Sequence, residues 1–168
     1  MRAAGAILAV ILALALQTTL ARFFVRDMVT IDLVLVVVVY VALTSGPVTG
    51  LLTGTVAGLV QDALSSGVVG IGGLSKTIVG FVTGIIGTQF IVAHSVPRFV
   101  VFLGATALHA GIFIGLYVLL GLRHFDAPYT SVVEQAVANA AVGVVAFQLV
   151  ERLPGAVERR RGRSWSRR

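Results

Sequence analysis

Residues 46–62 read GPVTGLLTGTVAGLVQD, and this stretch decides how the chain folds. Glycine recurs in it at every fourth position, at Gly46, Gly50, Gly54 and Gly58. That spacing places the glycines on one face of a helix. Helices in lipid associate through close backbone approach across small residues, because lipid supplies little hydrophobic drive between them. The stretch therefore predicts a helix with one smooth face for packing against another helix.

The next apolar segment carries a second set of glycines: Gly73, Gly80, Gly84 and Gly87. We expect the two helices to pack against each other or against the same partner. A shorter pattern, Gly111 and Gly115, is equally compatible with a packing motif and with the general frequency of glycine in membrane helices.

The composition excludes a soluble enzyme and an intrinsically disordered chain. Of the 168 residues, 57% are apolar and 12% are charged, with a mean hydropathy of +0.99. Soluble domains carry about 25% charged residues. The absence of cysteine also excludes a disulfide scaffold, a thiol nucleophile, a cysteine-ligated zinc and an iron–sulfur site.

Six apolar runs approach the length needed to cross a bilayer. We predict an all-α, polytopic membrane protein whose transmembrane domain covers residues 1–152, with spans at about 3–21, 31–45, 47–61, 73–93, 99–122 and 132–150. The second and third spans are short and are separated by Ser45, Gly46 and Pro47. Because proline fits the first turn of a helix better than its middle, we favour a helical hairpin here. One long, steeply tilted helix is the alternative.

Arginine and lysine beside the spans indicate the orientation. With six spans, nine arginines lie on the side that holds both termini and three on the opposite side. The excess of basic residues marks the cytoplasmic side, so we predict that both termini are cytoplasmic. Residues 153–168 form a basic tail that we expect to contact anionic lipids. Nucleic-acid binding is not expected, since only charge would support it.

Two ionisable residues lie at membrane depth on the outer side. Asp62 ends the third span, and Lys76 lies in the first turn of the fourth. Such groups are costly in lipid and mark candidate functional sites. We expect an Asp62–Lys76 pair to close the intervening loop. It could serve as a packing clasp or helix cap, or bind a partner, whereas a proton path would need more acidic residues.

The remaining polar residues of the spans suggest no chemistry. His109 stands alone in the fifth span, where a hydrogen bond between helices is the simplest role. The sequence contains no catalytic arrangement, metal-ligand cluster or cofactor fingerprint. We therefore predict no enzyme activity, no metal and no cofactor.

The middle of the chain, from about Asp32 to Gly87, contains a characteristic series of segments: IDLVLV at 31–36, YVAL at 40–43, SGP at 45–47, GLVQDALS at 58–65 and GIGGLSKTIVGF at 70–81. In these segments the chain resembles the MreD family of bacterial rod shape-determining proteins. Two departures stand out. Ile31 occupies a position where family members often have proline, and Thr44-Ser45 replaces an Arg-Arg pair that would mark the cytoplasmic side of the hairpin.

The resemblance implies a non-catalytic component of the cell-elongation machinery in the bacterial inner membrane. Its expected partners are MreC, MreB, RodA and the transpeptidase that works with RodA, and a homodimer is also compatible. The implied fold is similar to the six-helix substrate-binding subunits of vitamin transporters. The family-pattern positions in this chain are Asp62, Ser65, Gly67, Gly70, Lys76 and Gly80.

Two function classes follow from these observations. The first is a membrane scaffold that binds a partner helix through its small-residue ridges and helps to direct lateral peptidoglycan synthesis. The second is a substrate-binding subunit of a small-molecule transporter. We favour the scaffold because aromatic residues are scarce, at 8%, and the one tryptophan lies in the tail.

Overall fold

The computed structural model describes residues 2–23, 31–65, 68–90, 94–121 and 129–165, and all regular structure in these ranges is helical. Six helices follow one another: α1 (Arg2–Phe23), α2 (Leu33–Ser45), α3 (Pro47–Leu64), α4 (Ile71–Gln89), α5 (Ser95–Leu119) and α6 (Tyr129–Trp165). The prediction of an all-helical chain is confirmed. Helix α6 continues through most of the residues assigned to the basic tail.

Three helical segments in the described ranges are long and apolar enough to cross a membrane. They are Ile71–Gln89, Ser95–Leu119 and Thr130–Glu151. The apolar segments Ala4–Thr19 and Leu33–Ser45 are shorter. A helix of 13 residues such as α2 is about 20 Å long, against about 30 Å for a bilayer core. The number of complete spans therefore stays a prediction.

The chain reverses direction between α2 and α3 at a single glycine. Gly46 has φ +89°, which favours glycine, and Pro47 occupies the first turn of α3. The two helices then run back along each other, since a Cβ added at Gly50 would lie 2.6 Å from the Cβ of Ala42. Residues 31–61 thus form two helices, as the Ser45-Gly46-Pro47 sequence predicts.

Helices α3 and α4 pack backbone to backbone along their glycines. A Cβ at Gly58 would lie 2.6 Å from the Cα of Gly73, and one at Gly54 would overlap the backbone of Lys76. Gly80 faces Gly50 in the same way. Of the two expectations for these glycines, the structure shows that the helices pack against each other. We call this contact the glycine seam; it is formed by Gly50, Gly54 and Gly58 of α3 with Gly73, Gly80 and Gly84 of α4.

Helix α2 lies at the centre of the bundle. Val34 and Val38 pack with α1 and α3 in one apolar cluster, and Leu35 and Val39 pack with α4, α5 and α6 in another. All four side chains are fully buried. Among the described residues, α1 contacts only α2 and α3. The short α2 is therefore a core helix, and its N-terminus starts inside the protein.

Candidate functional site

The N-terminus of α2 places a carboxylate inside the bundle. Asp32 is the N-cap residue of α2, and its Oδ1 accepts a hydrogen bond of 3.0 Å from the backbone N–H of Leu35. Its other oxygen, Oδ2, lies 2.8 Å from Nζ of Lys76 on α4. The two side chains are only 8% and 4% exposed. Each charge thus has an opposite charge at contact distance, as a buried ion requires.

His109 of α5 completes this group. Its Nε2 lies 3.2 Å from Nζ of Lys76. An ammonium group can only donate, so Nε2 is the acceptor and the imidazole is neutral, with its proton on Nδ1. The ring also stacks on Phe113, one turn further along α5, with 5.8 Å between centroids. Asp32, Lys76 and His109, the buried triad, therefore join α2, α4 and α5.

A second chain of hydrogen bonds extends the triad to α6. The backbone N–H of Asp32 donates to Oδ1 of Asn139 over 2.9 Å, and Nδ2 of Asn139 donates to Oγ1 of Thr106 over 3.4 Å. Asn139 and Thr106 are both buried. Polar contacts thus join α2, α4, α5 and α6 at the same depth in the bundle. Buried polar groups without hydrogen-bond partners would destabilise the fold.

The expected Asp62–Lys76 pair is wrong. Lys76 pairs with Asp32 instead, while Oδ2 of Asp62 accepts hydrogen bonds from the backbone N–H groups of Gly70 and Gly73, at 2.8 and 3.0 Å. The first N–H groups of a helix have no partner within the helix, and they favour a negative charge. Asp62 therefore acts as the cap of α4, which is one of the roles that the sequence left open, and it reaches across the loop to do so.

The other predicted positions fall into two groups. Ser65 is exposed and donates to the backbone oxygen of Gln61, and Gly70 has φ +108° immediately before α4. Gly46 forms the turn, whereas the glycines of the seam are covered by the chain itself. Gly67 lies outside the described residues. The seam therefore offers no open face to a partner helix.

A cavity of about 350 Å³ lies over the buried triad. It sits at the end of the bundle where α2, α4 and α6 begin and where α1, α3 and α5 end, opposite to the start of α1 and the end of α6. Its walls combine amide side chains with aromatic and small residues, among them Gln17, Gln61, Asp62, Phe113 and Gln135. In the described ranges, no three metal-ligating side chains come together.

The opposite end of the bundle has a different ion pair. Arg98 of α5 binds Glu151 of α6 through two hydrogen bonds of 2.8 and 2.6 Å, and its guanidinium lies 3.9 Å from the centre of the Phe147 ring. Arg98 is buried, although the sequence suggested only a cytoplasmic flank. It thus fixes α5 to α6.

The site role of Asp32 and the neighbours of His109 were not predicted from the sequence. A signal was present for Asp32, because six alternating spans place the start of the second and of the fourth at the same end of the bundle. An acid at one start and a lysine just inside the other could have been paired on that ground. His109 offered no such signal, since its neighbours depend on how α5 is rotated against α4.

The chain matches the model of a known protein family. The family model described as rod shape-determining protein MreD matches residues 2–154, which is nearly the whole chain. No curated protein and no solved structure matches the chain.

Proposed function

Because the chain belongs to the MreD family of rod shape-determining proteins, we propose that it is a non-catalytic scaffold of the cell-elongation machinery in the bacterial inner membrane. The family match over residues 2–154 is the observation that carries this proposal. The family is one of membrane proteins that determine rod shape. The proposed scaffold role specifies how the chain contributes to rod shape.

The proposed partner is MreC, with MreB, RodA and the transpeptidase of RodA in the same assembly. A scaffold must hold its shape while partners bind. The glycine seam and the buried triad favour this, because they fix α2, α3, α4 and α5 relative to one another by contacts that leave little room for sliding. Through these partners the chain would help to direct lateral peptidoglycan synthesis.

Co-purification tests the scaffold. The full chain is expressed together with MreC, extracted in a mild detergent and purified by a tag on the chain. We expect MreC to remain bound through size-exclusion chromatography. A matched variant, Gly54→Leu, should lose MreC together with the native fold, whereas Gly111→Leu should stay folded, as measured by its melting temperature. A folded chain that never retains MreC would contradict the proposal.

We also propose that the chain is a multi-pass protein with both termini in the cytoplasm. The absence of native cysteine allows single cysteines to be placed at will. Cysteines at Ser45 and Ser95 should react with a membrane-impermeant maleimide only from the cytoplasmic side, and cysteines at Ser66 and Ser131 only from the outer side. Labelling of the cysteines introduced at Ser45 and Ser131 from the same side of the membrane would contradict six spans.

The alternative function is a substrate-binding subunit of a small-molecule transporter. The cavity over the buried triad favours it, because small-molecule sites are cavities lined by apolar groups with a few polar ones. The same purification separates the two functions. A tightly bound small molecule and no wall-synthesis partner would favour the transporter subunit over the scaffold.

A further inference from the structure

Two hydrogen-bond donors on side chains that line the cavity have no partner among the described residues. The ammonium of Lys76 carries three N–H groups, of which two serve Asp32 and His109. Within the described parts of the chain, Lys76 has no third partner, and the Nδ1–H of His109 has none either. Both side chains line the cavity. Lys76 and His109, which are held in place by the contacts of the buried triad, can therefore each donate a hydrogen bond to a ligand in the cavity.

The walls offer both acceptors and donors, because three amide side chains come from three different helices. Gln17 is on α1, Gln61 on α3 and Gln135 on α6. The Oε1 atom of Gln61 is buried without a hydrogen-bond partner among the described residues, and Oε1 of Gln17 accepts from the backbone N–H of Val34 over 3.3 Å. An amide pairs equally well with hydroxyl and amide groups of a ligand. The ring of Phe113 adds an apolar face.

The formal charge of the cavity selects against anions. Among the described lining residues the acids are Asp32 and Asp62, the one cation is Lys76 and His109 is neutral, which leaves one net negative charge. A phosphate or carboxylate would meet this charge in a partly enclosed space, where repulsion is screened less than in water. The volume of about 350 Å³ lies at the lower end of the usual range for small-molecule sites.

We propose that this cavity is a binding site for a small, neutral ligand rich in hydroxyl and amide groups, which enters from the end of the bundle where α2, α4 and α6 begin. Lys76 and His109 donate to its oxygens, the glutamine amides bind its remaining polar groups and Phe113 covers its apolar face. The site stands on the cavity alone and does not depend on the partners proposed above.

Titration with N-acetylglucosamine tests the proposal, because this probe is neutral and carries both an amide and hydroxyl groups. The full chain is placed in phosphatidylcholine nanodiscs, and binding is followed by saturation-transfer NMR of the probe. We expect saturable binding at millimolar concentrations. N-acetylglucosamine 6-phosphate, which carries an additional, negatively charged phosphate group, should bind at least about tenfold more weakly. Absence of saturable binding, or equal binding of the phosphate, would overturn the proposal.

Two variants locate the binding within the protein. Gln135→Leu alters the wall away from the buried triad, whereas Phe113→Ala also removes the ring that stacks on His109. Each should weaken binding about tenfold. Phe81→Ala is the matched control, since Phe81 is an exposed phenylalanine of α4 outside the cavity. Melting temperatures establish that all three variants are folded. Unchanged binding in both wall variants, or an equal loss in Phe81→Ala, would contradict the assignment.

Discussion

The glycines of α3 and those of α5 have the same spacing but different surroundings. A side chain added at Gly54 would overlap the backbone of α4, whereas one added at Gly111 or Gly115 would meet nothing within 4 Å. Helix α5 instead contacts its neighbours through apolar side chains such as Phe102, and through the polar pairs Lys76–His109 and Thr106–Asn139. A glycine every fourth residue therefore permits a close contact but does not ensure one.

The largest expected difference comes from placing leucine in each region. Gly54→Leu forces α3 away from the backbone of α4, so we expect a loss of more than about 4 kcal/mol of unfolding free energy and little folded protein. Gly111→Leu should fold normally, because its side chain points into open space. Thermal unfolding in detergent, followed by circular dichroism, measures both. Equal melting temperatures would contradict the glycine seam.

Breaking the buried triad should loosen α5 and spare the seam. Lys76→Met leaves the carboxylate of Asp32 buried without its cation, and removal of one partner of a buried pair typically costs about 3–5 kcal/mol. The rate of amide hydrogen exchange should increase in α5 and at the start of α2, and it should change least in the middle of α3.

The double variant Asp32→Asn with Lys76→Met is the control, since it removes both charges and should recover part of the lost stability. A double variant that is less stable than Lys76→Met alone would be evidence against the ion pair.

A smaller effect is expected where α5 meets α6. Glu151 is half exposed, at 51%, so its pair with Arg98 is partly screened by solvent. Glu151→Gln should cost about 1 kcal/mol, and the difference from the unmodified chain should shrink at high salt. Melting curves at low and high ionic strength measure it. A salt-independent difference would contradict a partly screened ion pair between Arg98 and Glu151.

The smallest effect is expected at the open glycines. Gly111→Ala adds a methyl group in open space and reduces the backbone freedom of the unfolded chain, which favours the helix by up to about 1 kcal/mol. The same change at Gly54 should be destabilising. A lower melting temperature for Gly111→Ala would indicate a contact on α5 that its open surroundings do not suggest.

The boundary between α2 and α3 followed from local sequence. Gly46 and Pro47 divide one apolar run into α2 and α3 because glycine accepts φ +89° and proline suits a first helical turn. The glycines of α3 predicted a close helix contact for an equally local reason, since their spacing puts them on one face. The sequence drew attention to Asp62 but allowed several roles for it, and the structure shows one of them, a cap of α4.

The sequence by itself determined an apolar, helical chain, the break at Gly46 and a glycine face on α3, because these depend on residue type and on spacing along one helix. Only the tertiary structure decided that Lys76 pairs with Asp32, that His109 joins them and that a cavity lies above. The physical reason is that these groups come from different helices. Their distances are set by how α2, α4 and α5 are rotated and shifted against one another, which neither composition nor spacing specifies.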